Sequence, residues 1–236
     1  DAVMVARGDL GVEMPIENVP LIQKNVIEKA GRVGKPVVIA TQILDSMIDR
    51  PFPTRAEVSD IANAILDGTD ALMVTGETAI GKHPKKVIEV LSRVVEETES
   101  SINYKKYKNK KINKKINTAN AISHAACTVT RRQDIKILVT MTHSGSTARM
   151  SARYRPSAKI IAMTPFREIC RRLSIVWGVI PILVDSYNSA DEIPEVAKKV
   201  LKREGWIKKG DKFVVTGGVP VGVPGTTNYL SVIRLD

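Results

Sequence analysis

Aromatic side chains are scarce. They make up 4% of the 236 residues, so the hydrophobic 43% must build an aliphatic core. Cysteine is nearly missing. Cys127 and Cys170 form no CxxC pair, which argues against a disulfide framework or a thiolate metal site. Both are expected to fill core positions in a reduced, cytoplasmic compartment. His83, His124 and His143 are too far apart in the sequence to suggest zinc. No run approaches the roughly 20 apolar residues of a membrane span. The first residues lack the basic start and long apolar stretch of a signal peptide, so neither membrane insertion nor export is expected.

Acidic residues are absent from one segment altogether. Residues 103–117, NYKKYKNKKINKKIN, hold seven lysines and no acid. The net charge of +11 is therefore uneven: −5 over residues 1–102, +7 over 103–117 and +9 over 118–236. Such asymmetry is a clue to ligands. The lysine-rich segment reads as a solvated linker. Lysine runs also attract nucleic acid, but no recognised nucleic-acid motif or aromatic platform accompanies this one, and no nucleic-acid partner is expected.

What is present alternates two periodicities. In residues 1–102, DAVMVA, KPVVIAT and TDALMVTG read as strands. NVPLIQKNVIEKAGRVG, PTRAEVSDIANAILDG and HPKKVIEVLSRVVEETES read as helices, with start and stop signals at Gly34, Pro53-Thr54, Gly68 and Pro84. This β-α order implies parallel strands with both faces covered. Residues 118–236 read as an open, mostly parallel sheet with helices on both faces. Its strands are IKILVTM, AKIIAMT, VIPILVD, KFVVTG and NYLSVIRL. Its helices are TANAISHAACTVTRR, GSTARMSARYRP (halted at Pro156), PFREICRRLSIVWG and SADEIPEVAKKVLKREG.

Each strand of the first part ends on polar or glycine residues: Arg7-Gly8-Asp9, Thr41-Gln42 and Thr75-Gly76-Glu77. In parallel barrels the active site lies at that end of the strands. Three β/α units are fewer than the eight a barrel needs, so the chain is expected to be a piece of a longer protein, truncated or partly determined. In the second part a strand runs into Thr142-His143-Ser144-Gly145-Ser146-Thr147 and then a helix. Small hydroxyl residues and a glycine in that position suit a phosphate cradle.

MVARGDLGVE, ATQILDSM, RPFPTRAEVSDIANAILDGTDALMVTGET and SARYRPSAKIIAMT occur in this order. Together they resemble the pyruvate kinase family over nearly the whole chain. The resemblance implies the last three β/α units of a (β/α)8 TIM barrel over 1–102, the linker over 103–117, and a C-terminal regulatory α/β domain over 118–236. The implied reaction is phosphoryl transfer from phosphoenolpyruvate to ADP, in glycolysis, by a cytoplasmic homotetramer. Asp9 matches the family's divalent-metal ligand, for Mg²⁺ or Mn²⁺, and K⁺ is possible by family. The N–H groups of Gly8 and Asp9 match its donors to the substrate carboxylate, and Gly8 is expected to let the substrate approach. Thr41 matches a substrate-contacting, catalytic threonine. Thr75, where the family usually has serine, and Glu77 are candidates for a proton relay. Ile43 replaces a usual methionine, a volume-conserving change. Arg55 and Glu57 resemble residues near a subunit contact, or form a plain helix-start salt bridge.

The family's catalytic lysine, second metal-binding glutamate, arginine and monovalent-cation ligands lie upstream of these motifs, so the chain alone is expected to be inactive. Residues 142–147 match the loop that holds an allosteric effector's phosphate. The tryptophan and arginine of fructose-bisphosphate-binding members are missing from NSADEIPEVAKK and from GGVPVGVPGTTN. The implied effector is a sugar monophosphate or a nucleoside monophosphate. Two other readings remain: a non-catalytic module that binds effector and oligomerises, and a lyase or aldolase barrel with a similar acid-lined rim, which would not carry this C-terminal domain.

Overall fold

The computed structural model describes residues 1–101, 117–223 and 225–235. They fall into two compact units, one within residues 1–103 and one within 104–236. The expected linker, apart from Asn117, lies outside the described residues.

In the first unit, strands β1 (Val3–Ala6), β2 (Val37–Ala40) and β3 (Ala71–Met73) pair in parallel in that order. Helix α1 (Arg7–Glu13) follows β1 without a break, α2 (Val19–Val33) leads to β2, and α3 (Arg55–Asp67) leads to β3. The short α4 (Gly76–Ala79) and the long α5 (Pro84–Ser100) come after β3. The punctuation signals act as expected. Pro20 opens α2, Gly34 and Gly68 close α2 and α3 with φ of 70° and 106°, and Pro84 opens α5. Thr54 caps α3 in a capping box: its hydroxyl accepts from the Glu57 N–H at 3.2 Å while the Glu57 carboxylate accepts from the Thr54 N–H at 2.7 Å.

Among the described residues the helices cover one face of this sheet. Val5, Val37 and Ile39 pack with Ile27 and Ala30 of α2, Ile61 and Ile65 of α3, and Val87 and Val90 of α5. On the alternate face Met4 is 57% exposed and Met73 36%. The expectation of two covered faces is corrected here for a physical reason. Crossovers between parallel strands are right-handed, so successive β-α-β units turning the same way put every helix on one side. The other side is the kind of surface that turns inward in a closed barrel.

The second unit does have both faces covered. Strands β4 (Ile137–Met141), β5 (Lys159–Thr164), β6 (Val179–Leu183), β7 (Lys212–Gly218) and β8 (Thr227–Arg234) lie in the order β6-β5-β4-β7-β8. All pairs are parallel except β7–β8. Pro181 sits in the edge strand β6, where a missing N–H is tolerated. Side chains alternate between faces along each strand. Leu138, Ile160, Ala162 and Val214 pack with α6 (Thr118–Arg132), α7 (Ser146–Ala152) and α8 (Arg167–Leu173). Val139, Ile161, Met163 and Val215 pack with α9 (Glu192–Arg203) through Ile193, Ala197, Val200 and Leu201.

Helix α7 stops at Ala152 rather than running to Pro156. The N–H groups of Tyr154 and Arg155 donate to the carbonyls of Ser151 and Ala152 in four-residue turns, and Arg155 takes a positive φ of 46°. The residue before a proline is disfavoured in helical conformation, so the stop propagates backwards. Cys127 is buried and its thiol is pushed up to about 12 by burial, which leaves it inert. Cys170 is only partly buried. Among the described residues no helix is long and apolar enough to cross a membrane.

Ile160 and Ile161 are neighbours on opposite faces of β5, and both are fully buried. Ile160→Ala and Ile161→Ala should therefore each cost about 2–5 kcal/mol. Urea unfolding measures both. A sheet with one solvated face would instead show one large loss and one small one.

Candidate functional site

The rim formed by the ends of β1, β2 and β3 depends on how the chain leaves β2. Thr41 and Gln42 both take left-handed backbone conformations, with φ of 66° and 53°. That region is unfavourable for non-glycine residues, and most of all for a β-branched one. Three charged side chains take up the backbone groups around this turn. Arg7 is the first. Its Nε and Nη2 donate to the Thr41 carbonyl at 3.2 and 2.9 Å, Nη2 also donates to the Gln42 carbonyl at 2.7 Å, and Nη1 pairs with Asp60 on α3. Glu77, 1% exposed, is the second. It accepts from the N–H of Leu44 at 3.0 Å and of Thr75 at 2.8 Å. Glu57 is the third, accepting from the Ser46 N–H at 2.8 Å and hydroxyl at 2.6 Å.

The carboxyl groups respond to these partners. Burial raises the pKa of Glu77, but the N–H groups of Leu44, Glu77, Thr75 and Ile43 outweigh it and hold the group below its ordinary 4.5. Burial likewise raises Glu57, and hydrogen bonds from Ser46 and Thr54 bring it below 4.5.

On this frame the Thr41 hydroxyl stands against the end of β1. It accepts from the Gly8 N–H at 2.9 Å. A hydroxyl has further capacity, so its own proton stays available to a ligand. A Cβ on Gly8 would lie 3.5 Å from that oxygen, an ordinary contact within the protein. Asp9 follows in the first turn of α1, exposed, its carboxylate without a hydrogen bond or ion pair among the described residues. Its carboxylate is a hard oxygen donor of the kind Mg²⁺ selects. That ion keeps several waters and takes only one or two carboxylates. Among the described residues no group of three potential ligands gathers to hold a metal by itself. Thr75 is exposed at the end of β3. Gly8, Asp9 and Thr41 thus come together, with Thr75 at the next strand end. Glu77 lies beneath them with its oxygens on backbone donors. Arg55 and Glu57 open α3.

In the second unit the loop 142–147 closes on itself. The Thr142 hydroxyl accepts from the Gly145 N–H at 2.9 Å, and the hydroxyls of Thr147 and Thr227 pair at 2.8 Å. Gly145 has φ of 79°, and a Cβ there would press on Arg149 and Leu173 at 3.2 Å, so glycine is required. The His143 ring lies between Phe166 and Tyr187, at 5.7 and 5.4 Å, and burial holds it below its ordinary 6.5. The facing wall is the loop after β7. It is fastened by Asn228, whose side chain bonds both the N–H and the carbonyl of Val219, at 2.8 and 2.6 Å. The cleft between, lined by His143, Ser144, Ser146, Gly222 and Thr226, has about 20 Å³ of free volume, room for roughly one water.

The roles of Arg7, Asp60 and Asn228 were not legible in the sequence. Arg7 appeared only as the start of a motif, and its partners lie 34, 35 and 53 positions away.

Comparison with known proteins bears on both units. Residues 1–88 match the family model described as pyruvate kinase, barrel domain, and residues 120–233 match pyruvate kinase, alpha/beta domain. The chain is 48% identical to a pyruvate kinase of Clostridium acetobutylicum over 233 residues, 98% of this chain and 49% of that one. It is 47% identical to one of Thermotoga maritima over 239 residues, covering all of this chain and 50% of the relative. A crystal structure of a pyruvate kinase from Cryptosporidium parvum superposes with a TM-score of 0.91 at 38% identity. It covers all of this chain and 47% of that one. The chain spans about half the length of these relatives.

The Glu77 brace makes a test by pH. Glu77→Gln should cost about 2–3 kcal/mol at neutral pH, since one backbone donor loses its charged acceptor. The folded carboxyl lies below 4.5. Its stabilisation is therefore complete above about pH 4.5 and fades as pH falls through the lower folded value. Urea unfolding of both proteins at about pH 7, 5 and 3 should show a gap that is wide at the first two and begins to shrink only below about pH 4.5.

Proposed function

The chain belongs to the pyruvate kinase family, and from that premise we propose that it serves the transfer of the phosphoryl group of phosphoenolpyruvate to ADP. The products are ATP and pyruvate. The observation that supports the reading most strongly is the meeting of Gly8 and Thr41 at 2.9 Å beside an exposed Asp9 at the ends of adjacent parallel strands.

Each residue has a physical task in this scheme. Asp9 holds Mg²⁺ or Mn²⁺, which supplies positive charge to phosphate oxygens. The Asp9 N–H and the Thr41 hydroxyl donate to the substrate carboxylate, whereas the Gly8 N–H, expected to donate there as well, is taken by the Thr41 oxygen at 2.9 Å. Gly8 keeps the Thr41 hydroxyl aimed by donating to its oxygen. Once the P–O bond to the enol oxygen breaks and the phosphoryl group joins the ADP β-phosphate, the enolate takes a proton at its methylene carbon. Thr41 and Thr75 are the residues proposed to pass on a water-borne proton, and Glu77, whose oxygens already accept from the N–H groups of Leu44 and Thr75, serves that relay by bracing it rather than by carrying the proton. K⁺ belongs to the scheme through the family alone.

Residues 142–147 bind the phosphate of an allosteric effector, a sugar or nucleoside monophosphate. The cleft must widen to admit it. Assembly as a homotetramer accords with exposed apolar side chains such as Val12 (86%) and Ile16 (77%). A glycolytic enzyme of this kind works in the cytoplasm.

A second reading is favoured by one observation. Phosphoryl transfer needs cations, and Arg7 commits its donors to Thr41, Gln42 and Asp60. On this reading the 236-residue chain alone is an effector-binding and subunit-contacting module without turnover.

A coupled assay for pyruvate separates the two. The protein as its gene encodes it should form pyruvate with Mg²⁺, phosphoenolpyruvate and ADP, and Asp9→Asn should lower kcat by roughly 10²–10³-fold. The 236-residue chain assayed alone should show no turnover. No pyruvate from the gene-encoded protein, or full activity of Asp9→Asn, would overturn the proposed role.

A further inference from the structure

We propose that Arg7 is a positioning residue: anchored to Asp60, its guanidinium holds Thr41 and Gln42 in their left-handed conformations and so aims the Thr41 hydroxyl at the Gly8 N–H. The effect on catalysis rests on the function proposed above; the geometry does not.

Four observations converge on this. Two consecutive non-glycine residues in the left-handed region are costly and persist only where the surroundings over-determine them. Both of their carbonyls accept hydrogen bonds from the one guanidinium. The Arg7 side chain is 9% exposed, so its charge needs a partner, and Asp60 supplies it from α3. Arg7 is also the residue next to Gly8, so the group that fixes the turn at the end of β2 belongs to the end of β1. The two strand ends that hold Gly8 and Thr41 are thereby locked together from below. Only a planar fork does this. A lysine ammonium is one point charge and cannot hold two carbonyls and a carboxylate in those directions.

The role predicts a rescue that neither a substrate-binding role nor a general loss of stability would show. Glycine takes the left-handed conformation freely. In a protein without the clamp, Gln42→Gly should let the turn re-form.

The test compares the gene-encoded protein with Arg7→Met, Arg7→Lys, Gln42→Gly and Arg7→Met/Gln42→Gly. Pyruvate formation gives kcat, and hydrogen–deuterium exchange is read on the peptide containing Gly8. Arg7→Met and Arg7→Lys should each lower kcat roughly 10- to 100-fold, the scale of a displacement of about 1 Å at a reacting group. Both should speed Gly8 exchange. Gln42→Gly alone should change neither, and in the double variant it should restore kcat at least several-fold and slow the exchange again. Wild-type behaviour of Arg7→Lys, an unchanged Gly8 exchange in Arg7→Met, or no rescue by Gln42→Gly would each overturn the proposal. If Arg7→Met fails to fold, Arg7→Lys and the double variant decide. If the wild-type protein forms no pyruvate, the functional reading falls, and the exchange data alone still judge the clamp.

Discussion

The first unit depends on one backbone event, the left-handed turn that follows β2. A chain leaving a parallel strand must find new partners for its N–H and carbonyl groups. Here charged side chains supply several of them: Arg7, Glu77 and Glu57, from the end of β1, from α4 and from the start of α3. An arginine meets the carbonyls and glutamates meet the N–H groups, so the sign of each charge suits the backbone dipole it faces. Charge-assisted hydrogen bonds of this kind are roughly twice as strong as neutral ones. They turn a loop into a platform rigid enough to aim a hydroxyl, which a functional site requires.

The second unit solves a similar problem by other means. Its candidate loop is closed by neutral hydroxyls, by a glycine in a conformation no other residue takes easily, and by an asparagine that fastens the opposite wall. Neutral closures are weaker than charged ones. That contrast matches the tasks proposed for the two sites. A reacting group needs a fixed position, whereas an effector cleft with room for one water has to open.

The sequence made the architecture legible because periodicity and punctuation are local. Thr54 with Glu57, Pro20, Gly34 and Gly68 mark helix ends within a few residues of themselves. The parallel order of both sheets followed from alternating strands and helices. The single covered face of the first sheet did not, because it depends on the shared handedness of successive crossovers. The short helices α1 and α4 were also hidden: RGDLGVE and GETA contain glycines that weaken any helical signal. At the site, Gly8, Asp9 and Thr41 stood out through their motifs and their places at strand ends. Arg7, Asp60 and the bracing position of Glu77 did not, since each acts on residues more than 30 positions away. No local pattern distinguishes a buried carboxylate that holds backbone from one that moves protons.

The central claim is that the Thr41 hydroxyl, held by Gly8, and the neighbouring Asp9 form the receptor for the substrate's carboxylate and its metal. A crystal structure of the gene-encoded protein with Mg²⁺ and oxalate, a planar dicarboxylate shaped like the enolate, tests it most directly. The account predicts a carboxylate oxygen within about 3 Å of the Thr41 Oγ1 and the Asp9 N, as hydrogen bonding demands, and Mg²⁺ on the Asp9 carboxylate. Oxalate bound away from Thr41, or a metal that leaves Asp9 untouched, would contradict it.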